Sequence, residues 1–107
     1  MKGAEFGLAT PQEIAREIGA RLRVQRLRQS LTQDELAARA AVSASALKTL
    51  ESTGKSTVET LVRVAGALGL QTDFAQLFVP KVVSSIVDLE RLERAQQRLR
   101  APRRKST

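Results

Sequence analysis

The chain has 107 residues, which suffices for one domain and a short extension, and its 3% aromatic content means that a core must consist of Leu, Ile, Val and Ala. It contains no His and no Cys, which excludes disulfides, zinc sites built on these ligands and the commonest catalytic bases and nucleophiles. The formal net charge of +7 is compatible with a nucleic-acid partner, but residues 91–107 carry seven basic residues and one acidic residue, whereas residues 1–90 are nearly neutral.

Capping signals delimit the first predicted helix. Residues 10–13 (Thr-Pro-Gln-Glu) form a capping box with proline at the first helical position. Apolar residues follow at near-helical spacing, which predicts a helix to about Gln29. The residues expected to face the core are Ile14, Ile18, Leu22 and Leu27.

Two short helices joined by a tight turn are predicted next. A second capping box, at residues 32–35, opens a helix that ends near Ala40 and has Leu36, Ala37 and Ala40 on its inward side. After a turn at residues 40–42, with Val42 filling the corner, Ser43 caps a third helix over about residues 44–52, and Gly54 follows it.

The third predicted helix has two different faces. Leu47, Leu50 and Glu51 share one face by their spacing. The opposite face has mostly short, polar side chains, which lets a helix backbone enter a DNA major groove about 12 Å wide. The residues of that face are Ala44, Ser45, Lys48, Thr49 and Ser52.

Two further helices complete the predicted domain, and no strand pattern is present. Residues 56–59 form a capping box that opens a fourth helix, which Gly69 ends. Residues 73–78 form a short fifth helix that Pro80 ends. The inward residues expected in the fourth helix are Leu61, Val64, Ala65 and Leu68.

The pattern Leu31-Thr32-Gln33, Glu35-Leu36-Ala37, Val42-Ser43, Leu47, Leu50-Glu51 and Gly54-Lys55 is quite specific. With it, residues 14–78 resemble the Xre-type helix-turn-helix family of phage-repressor-like regulators. The resemblance implies an all-α fold, with a five-helix, lambda-repressor-like DNA-binding domain in residues 11–79. The apolar spacing after Pro80 predicts a C-terminal helical extension in residues 80–107. It also implies a sequence-specific, non-enzymatic repressor that binds double-stranded DNA.

The family's functional positions carry over residue by residue. Gln33 would clamp a phosphate, and the bases would be contacted by Ala44, Ser45, Lys48 and Thr49. Further phosphate contacts would come from Ser43, Ser52 and Lys55, and a structural ion pair would join Arg26 to Glu51. Two positions depart from the family: Ala41 replaces its usual turn glycine, so the turn must avoid or tolerate a left-handed backbone, and Ala44 replaces a frequent glutamine.

The helix-turn-helix, the arginines of the first helix and the C-terminal residues each have more than one interpretation. The helix-turn-helix could be part of a helical bundle that never touches DNA, and the first-helix arginines are either solvated or in contact with phosphates. An amphipathic sixth helix, from about Ser85 to Arg100, presents an apolar stripe that packs on its own domain, on a dimer mate or on another protein. The basic tail after it is either a solvated, disordered segment or follows neighbouring phosphates.

The layout is similar to that of the small HipB-type antitoxins that accompany HipA-like kinase toxins. This similarity implies a homodimer that binds a near-palindromic operator, represses its own operon and pairs with a kinase-type toxin. The alternatives are a stand-alone Xre-type regulator and a protein-interaction adaptor that uses the C-terminal helix. We expect no metal, no cofactor and no membrane span, and a cytoplasmic location.

Overall fold

A computed structural model describes residues 6–81 and 85–100. In these ranges every regular element is a helix, which confirms the predicted all-α class. The elements are α1 (Pro11–Arg28), α2 (Gln33–Ala40), α3 (Ala44–Thr53), α4 (Val58–Ala67), a 3₁₀ helix (Gln71–Gln76) and α5 (Ile86–Arg100). The chain divides into two units, residues 1–77 with α1 to the 3₁₀ helix and residues 78–107 with α5.

The capping boxes at the starts of α1 and α2 form as predicted. The Thr10 hydroxyl accepts a hydrogen bond from the Glu13 amide at 3.1 Å, and the Glu13 carboxylate accepts one from the Thr10 amide at 3.1 Å. Thr32 and Glu35 repeat the arrangement at 3.1 and 3.0 Å. Because the Thr10 and Thr32 backbone amides and hydroxyls hydrogen-bond to them, the pKa values of Glu13 and Glu35 lie below the ordinary value of a glutamate.

The turn between α2 and α3 places Ala41 in the left-handed region, with φ 56° and ψ 43°. The Ala41 amide donates to the Ala38 carbonyl at 3.3 Å, and the Val42 amide donates to the Ala37 carbonyl at 3.0 Å. These bonds satisfy carbonyls at the end of α2, so the turn tolerates the conformation for which glycine is usual. Val42 packs against the core, as predicted for the corner between the two helices.

The core of the first unit is aliphatic and is built around α2, α3 and α4. Leu36, Leu47, Leu50 and Val64 are its largest fully buried side chains. The predicted inward residues of α2 and α3 are all buried, and so are three of the four predicted for α4. The remaining buried apolar residues are Leu22, Leu31, Ala37, Ala40, Ala65 and Leu68.

The predicted inward stripe of α1 was partly wrong. Leu22 is buried, but Leu27 is 49% exposed and Ile18 is 36% exposed. The buried residues of α1 are instead Gly19, Leu22 and Arg26. The reason is the packing of α1 on α3: a small residue lies where the helices approach, and Arg26 turns inward to reach a buried acid.

Two helix boundaries also differ from the prediction. Thr57, not Ser56, caps α4, because the Thr57 hydroxyl accepts from the Thr60 amide at 3.0 Å. The predicted fifth helix at residues 73–78 is a 3₁₀ helix at Gln71–Gln76, and Leu77 is already extended. The segment is short, and the Asp73 amide bonds to the carbonyl of Leu70, three residues earlier, which suits 3₁₀ geometry.

The second unit contains α5, which is close to the predicted sixth helix. The Ser85 hydroxyl caps it by accepting from the Asp88 amide at 3.1 Å. The large apolar residues of α5 are exposed, from 44% at Leu92 to 88% at Leu99. The basic tail at residues 101–107 lies outside the described residues, as do Val82 and Val83. Among the helices at 6–81 and 85–100, none is long and apolar enough to cross a membrane.

Candidate nucleic-acid interface

Helix α3 is anchored in the core on one side and exposed on the other. Leu47 and Leu50 are buried on the anchored side, and Glu51 lies beside them with 5% of its surface exposed. The exposed side carries Ser45, Lys48, Thr49 and Ser52. A helix held in this way presents a polar face whose position is fixed by the packing of the other face.

Arg26 and Glu51 form a buried ion pair between α1 and α3. Arg26 Nε donates to Glu51 Oε2 at 2.7 Å, and Arg26 Nη2 donates to Glu51 Oε1 at 2.9 Å. Arg26 Nη1 donates to the Leu31 carbonyl at 2.9 Å. The hydrogen bonds that Arg26 donates to the Glu51 carboxylate raise the pKa of Arg26 above its ordinary value, so Arg26 stays charged. Together these contacts join α1, α3 and the loop before α2.

Gln33, the first residue of α2, is hydrogen-bonded to the same carboxylate. Its Nε2 donates to Glu51 Oε1 at 3.1 Å, and its side chain is half-buried. One amide hydrogen is therefore engaged by Glu51, and the other remains as a donor for an external acceptor. The hydrogen bond to Glu51 orients the Gln33 side chain. The sequence pattern does not reveal this contact between α2 and α3.

The predicted base-contacting residues do not share one environment. Ser45, Lys48 and Thr49 are exposed, and within the described ranges no ion pair involves Lys48. Ala44 is half-buried and packs against the core, so the expectation of an exposed residue there was only partly right. It is the first residue of α3, where the helix emerges from the turn.

The predicted phosphate-contacting serines already make local hydrogen bonds. Ser43 accepts from the Ala46 amide at 3.0 Å as the cap of α3, so its hydroxyl proton remains available. Ser52 donates its only proton to the Lys48 carbonyl at 2.8 Å. It can therefore donate to a phosphate only by exchanging that bond. Lys55 is exposed after the C-cap Gly54.

An open cleft lies beside these residues on the surface of the first unit. It has a volume of about 490 Å³ and brings together α1, the start of α2 and the middle of α3. Its lining residues are Arg23, Arg26, Thr32, Gln33, Asp34 and Lys48. The sequence identified Gln33 and Lys48 separately, but the position of Arg23 next to them depends on how α1 crosses α3.

Apart from the carboxylate of Asp34, the chemistry that this surface offers is hydrogen-bond donation and positive charge, from hydroxyl, amide, ammonium and guanidinium groups. In the described part of the chain, no group of three or more acidic residues is placed to hold a metal ion.

Comparison with known proteins gave one result for this region. A family model described as a helix-turn-helix domain matches residues 17–77, which is more than half of the chain. A search of curated proteins gave no match.

Proposed function

The chain belongs to the helix-turn-helix domain family, and we propose on that basis that it is a sequence-specific transcriptional regulator that binds double-stranded DNA. In this proposal α3 enters the major groove. Ser45, Lys48 and Thr49 contact base edges, and Ala44 offers an apolar contact such as one to a thymine methyl group. Phosphate contacts by Gln33, Ser43, Ser52 and Lys55 fix the register on the duplex.

The observation that carries this proposal is the construction of α3. Its buried side is fixed by Leu47, Leu50 and the Arg26–Glu51 pair, while its exposed side is short and polar apart from Lys48. An ordinary surface helix is also anchored by an apolar face, but its exposed side more often carries long Glu and Lys side chains. A helix that must place side chains against base edges needs both features, because short side chains permit close approach and a rigid support fixes its orientation.

A homodimeric repressor is the form that we propose for the active protein. One recognition helix contacts only a few base pairs, and helix-turn-helix dimers bind half-sites about 34 Å apart on near-palindromic operators. The exposed apolar residues of α5, among them Leu89 and Leu92, provide a surface that a second copy would cover.

The finer proposal of an antitoxin rests on the similarity in layout to HipB-type proteins. A HipA-like kinase would then be a further partner. Purification of the native protein from its own cells tests this: a co-purifying kinase favours the antitoxin, and a homodimer alone favours a stand-alone regulator. A protein-interaction adaptor would instead lose its activity on removal of residues 81–107 and keep it when Lys48 or Thr49 is replaced.

DNA binding is tested by fluorescence anisotropy with duplex DNA from upstream of the protein's own gene and a scrambled duplex, across a range of salt concentrations. The proposal requires a preference for the upstream sequence that persists at physiological salt. Equal and steeply salt-dependent binding to both duplexes would contradict specific recognition, because it indicates phosphate contacts alone.

The Lys48→Ala variant tests the orientation of α3 in the same assay. We expect it to weaken binding to the specific duplex by about 1–3 kcal/mol and binding to the scrambled duplex by less. Lys81→Ala is the matched control, since Lys81 is an exposed lysine outside α3. Equal losses on both duplexes would make Lys48 a phosphate contact, and no loss on either duplex would exclude Lys48 from the contacts to DNA.

A further inference from the structure

We propose that Arg23 of α1 is a further DNA-contacting residue, which binds a backbone phosphate at the mouth of the cleft that it shares with Gln33 and Lys48. The inference rests on the proposed function, because it requires that α3 enters a major groove. It assigns to α1 a direct part in binding, in addition to its packing role.

The first argument is the position of Arg23. It lies one helical turn before Arg26, on the side of α1 that borders the start of α2. The Arg26 guanidinium binds Glu51 and the Leu31 carbonyl, whereas no hydrogen bond or ion pair between described residues involves the exposed side chain of Arg23. The guanidinium at the rim of the cleft is therefore available to an external anion.

The second argument is the identity of its neighbours. Lys48 projects from the exposed side of α3, and Gln33 is tethered to Glu51 at the edge of the same cleft. In the proposed complex Lys48 contacts base edges and Gln33 contacts a phosphate, so the DNA backbone would pass the start of α2. Arg23 lines the same cleft there. A guanidinium binds phosphate with two parallel hydrogen bonds, which suits a contact that positions the protein without distinguishing sequence.

The negative charge of Asp34 in the same cleft allows a second test of the Arg23 contact. Asp34 lines the same cleft, and its carboxylate would repel a phosphate bound there. Removal of this charge should therefore act in the opposite direction to removal of the Arg23 charge. A solvated surface arginine far from DNA would not show this opposition.

The test compares three full-length variants, Arg23→Gln, Asp34→Asn and Arg28→Gln. Arg28 is the matched control, because it is exposed on the same helix and lies about 140° around the axis from Arg23. Anisotropy titrations on the upstream and scrambled duplexes, from about 50 to 200 mM salt, give the affinity and its salt dependence. Thermal unfolding of each variant checks that the fold is intact.

We expect Arg23→Gln to weaken binding to both duplexes by about fivefold at physiological salt and to reduce the slope of log K against log salt by about 0.9, the value for one phosphate contact. Asp34→Asn should strengthen binding to both duplexes, and Arg28→Gln should leave the slope unchanged. An Arg23→Gln variant that behaves like Arg28→Gln would overturn the proposal, and so would a wild-type protein that binds no DNA.

The outcomes for Arg23 and for the proposed function are separable. If the wild type prefers the upstream duplex and Arg23→Gln matches its control, the regulator stands and the Arg23 contact is wrong. If the wild type shows no preference but Arg23→Gln alone reduces the slope, the phosphate contact stands and specific regulation is wrong.

Discussion

Ala41 adopts a left-handed backbone conformation between α2 and α3, with φ 56° and ψ 43°. For a residue with a Cβ atom this conformation costs about 1–2 kcal/mol relative to the right-handed one. The fold tolerates this cost because the turn places Ser43 where it caps α3 and Val42 where it packs against the core. Tertiary packing here determines the backbone of a residue whose own preference is different.

Replacement of Ala41 by glycine should therefore stabilise the protein. Glycine relieves the left-handed strain but loses more conformational entropy on folding, so we expect a net gain of about 1 kcal/mol in the free energy of unfolding, measured with urea. Ala38→Gly is the control, at an exposed position inside α2 where glycine should cost about 1 kcal/mol. A destabilised Ala41→Gly variant would contradict the strain at this turn.

The Arg26–Glu51 pair has a structural consequence at the same scale. Both side chains are almost fully buried, so the attraction between them is offset by the cost of removing two charges from water. The main effect of the Arg26–Glu51 pair is therefore to fix the positions of the helices that it joins. Glu51 accepts from Arg26 on α1 and from Gln33 on α2, and it belongs to α3, so one carboxylate fixes three helices that would meet DNA together.

At the scale of elements, the contact between α1 and α3 depends on Gly19. A Cβ atom at this position would overlap the backbone carbonyl oxygen of Leu50, and a backbone atom cannot turn aside as a flexible side chain can. A Cβ atom on Gly66 of α4 would instead project into open space. Replacement by alanine should therefore have opposite effects on stability at the two glycines, although both lie inside helices.

Gly19→Ala should destabilise the protein by about 1–3 kcal/mol, because α1 must move away from α3 and this cost exceeds the gain in helix propensity. Gly66→Ala is the control and should stabilise by up to about 1 kcal/mol, since propensity alone acts there. Chemical denaturation of both variants measures the difference. If Gly19→Ala were as stable as Gly66→Ala, the close approach of α1 and α3 would be wrong.

The contrast between α1 and α2 indicates which elements the sequence could predict. The capping boxes of α1 and α2 and the inward residues of α2 were predicted correctly, because local hydrogen bonds and a simple apolar spacing determine them. In α1 the prediction followed large apolar residues and included Leu27, whereas the buried side contains Gly19 and Arg26. A glycine at a close approach of two helices and an arginine paired with a distant acid carry no hydrophobic signal. Arg26 was identified only through the family resemblance, which predicted its pair with Glu51.

The candidate interface shows the same division. The exposed polar side of α3 follows from helical spacing, so Ser45, Lys48 and Thr49 could be identified from the sequence. Arg23 could not be distinguished from the other arginines of α1, because its place beside Gln33 and Lys48 depends on the crossing of two helices. The local bonds of Ser52 depend on the coordinates of α3 in the same way.

At the scale of the whole molecule, packing and charge are concentrated in different parts of the chain. Every residue of the described core cluster lies between Leu22 and Leu68, within the first unit. Residues 78–107 carry eight basic and three acidic residues, which is most of the net charge of +7. Stability and non-specific attraction to nucleic acid should therefore be separable by truncation.

A chain that ends at Leu77 should unfold cooperatively, with a free energy of unfolding within about 1 kcal/mol of the full-length value, because it retains the whole described core. Its binding to scrambled DNA should weaken and become less salt-dependent, since the removed cations can no longer displace counterions. The truncation also removes α5, which carries the proposed dimer surface. Any preference for the upstream duplex should therefore persist only at protein concentrations high enough to restore dimerisation. Urea denaturation and anisotropy measure the two properties on one sample.

Loss of cooperative unfolding would show that the first unit depends on residues 78–107, and an unchanged salt dependence would show that their charges take no part in binding.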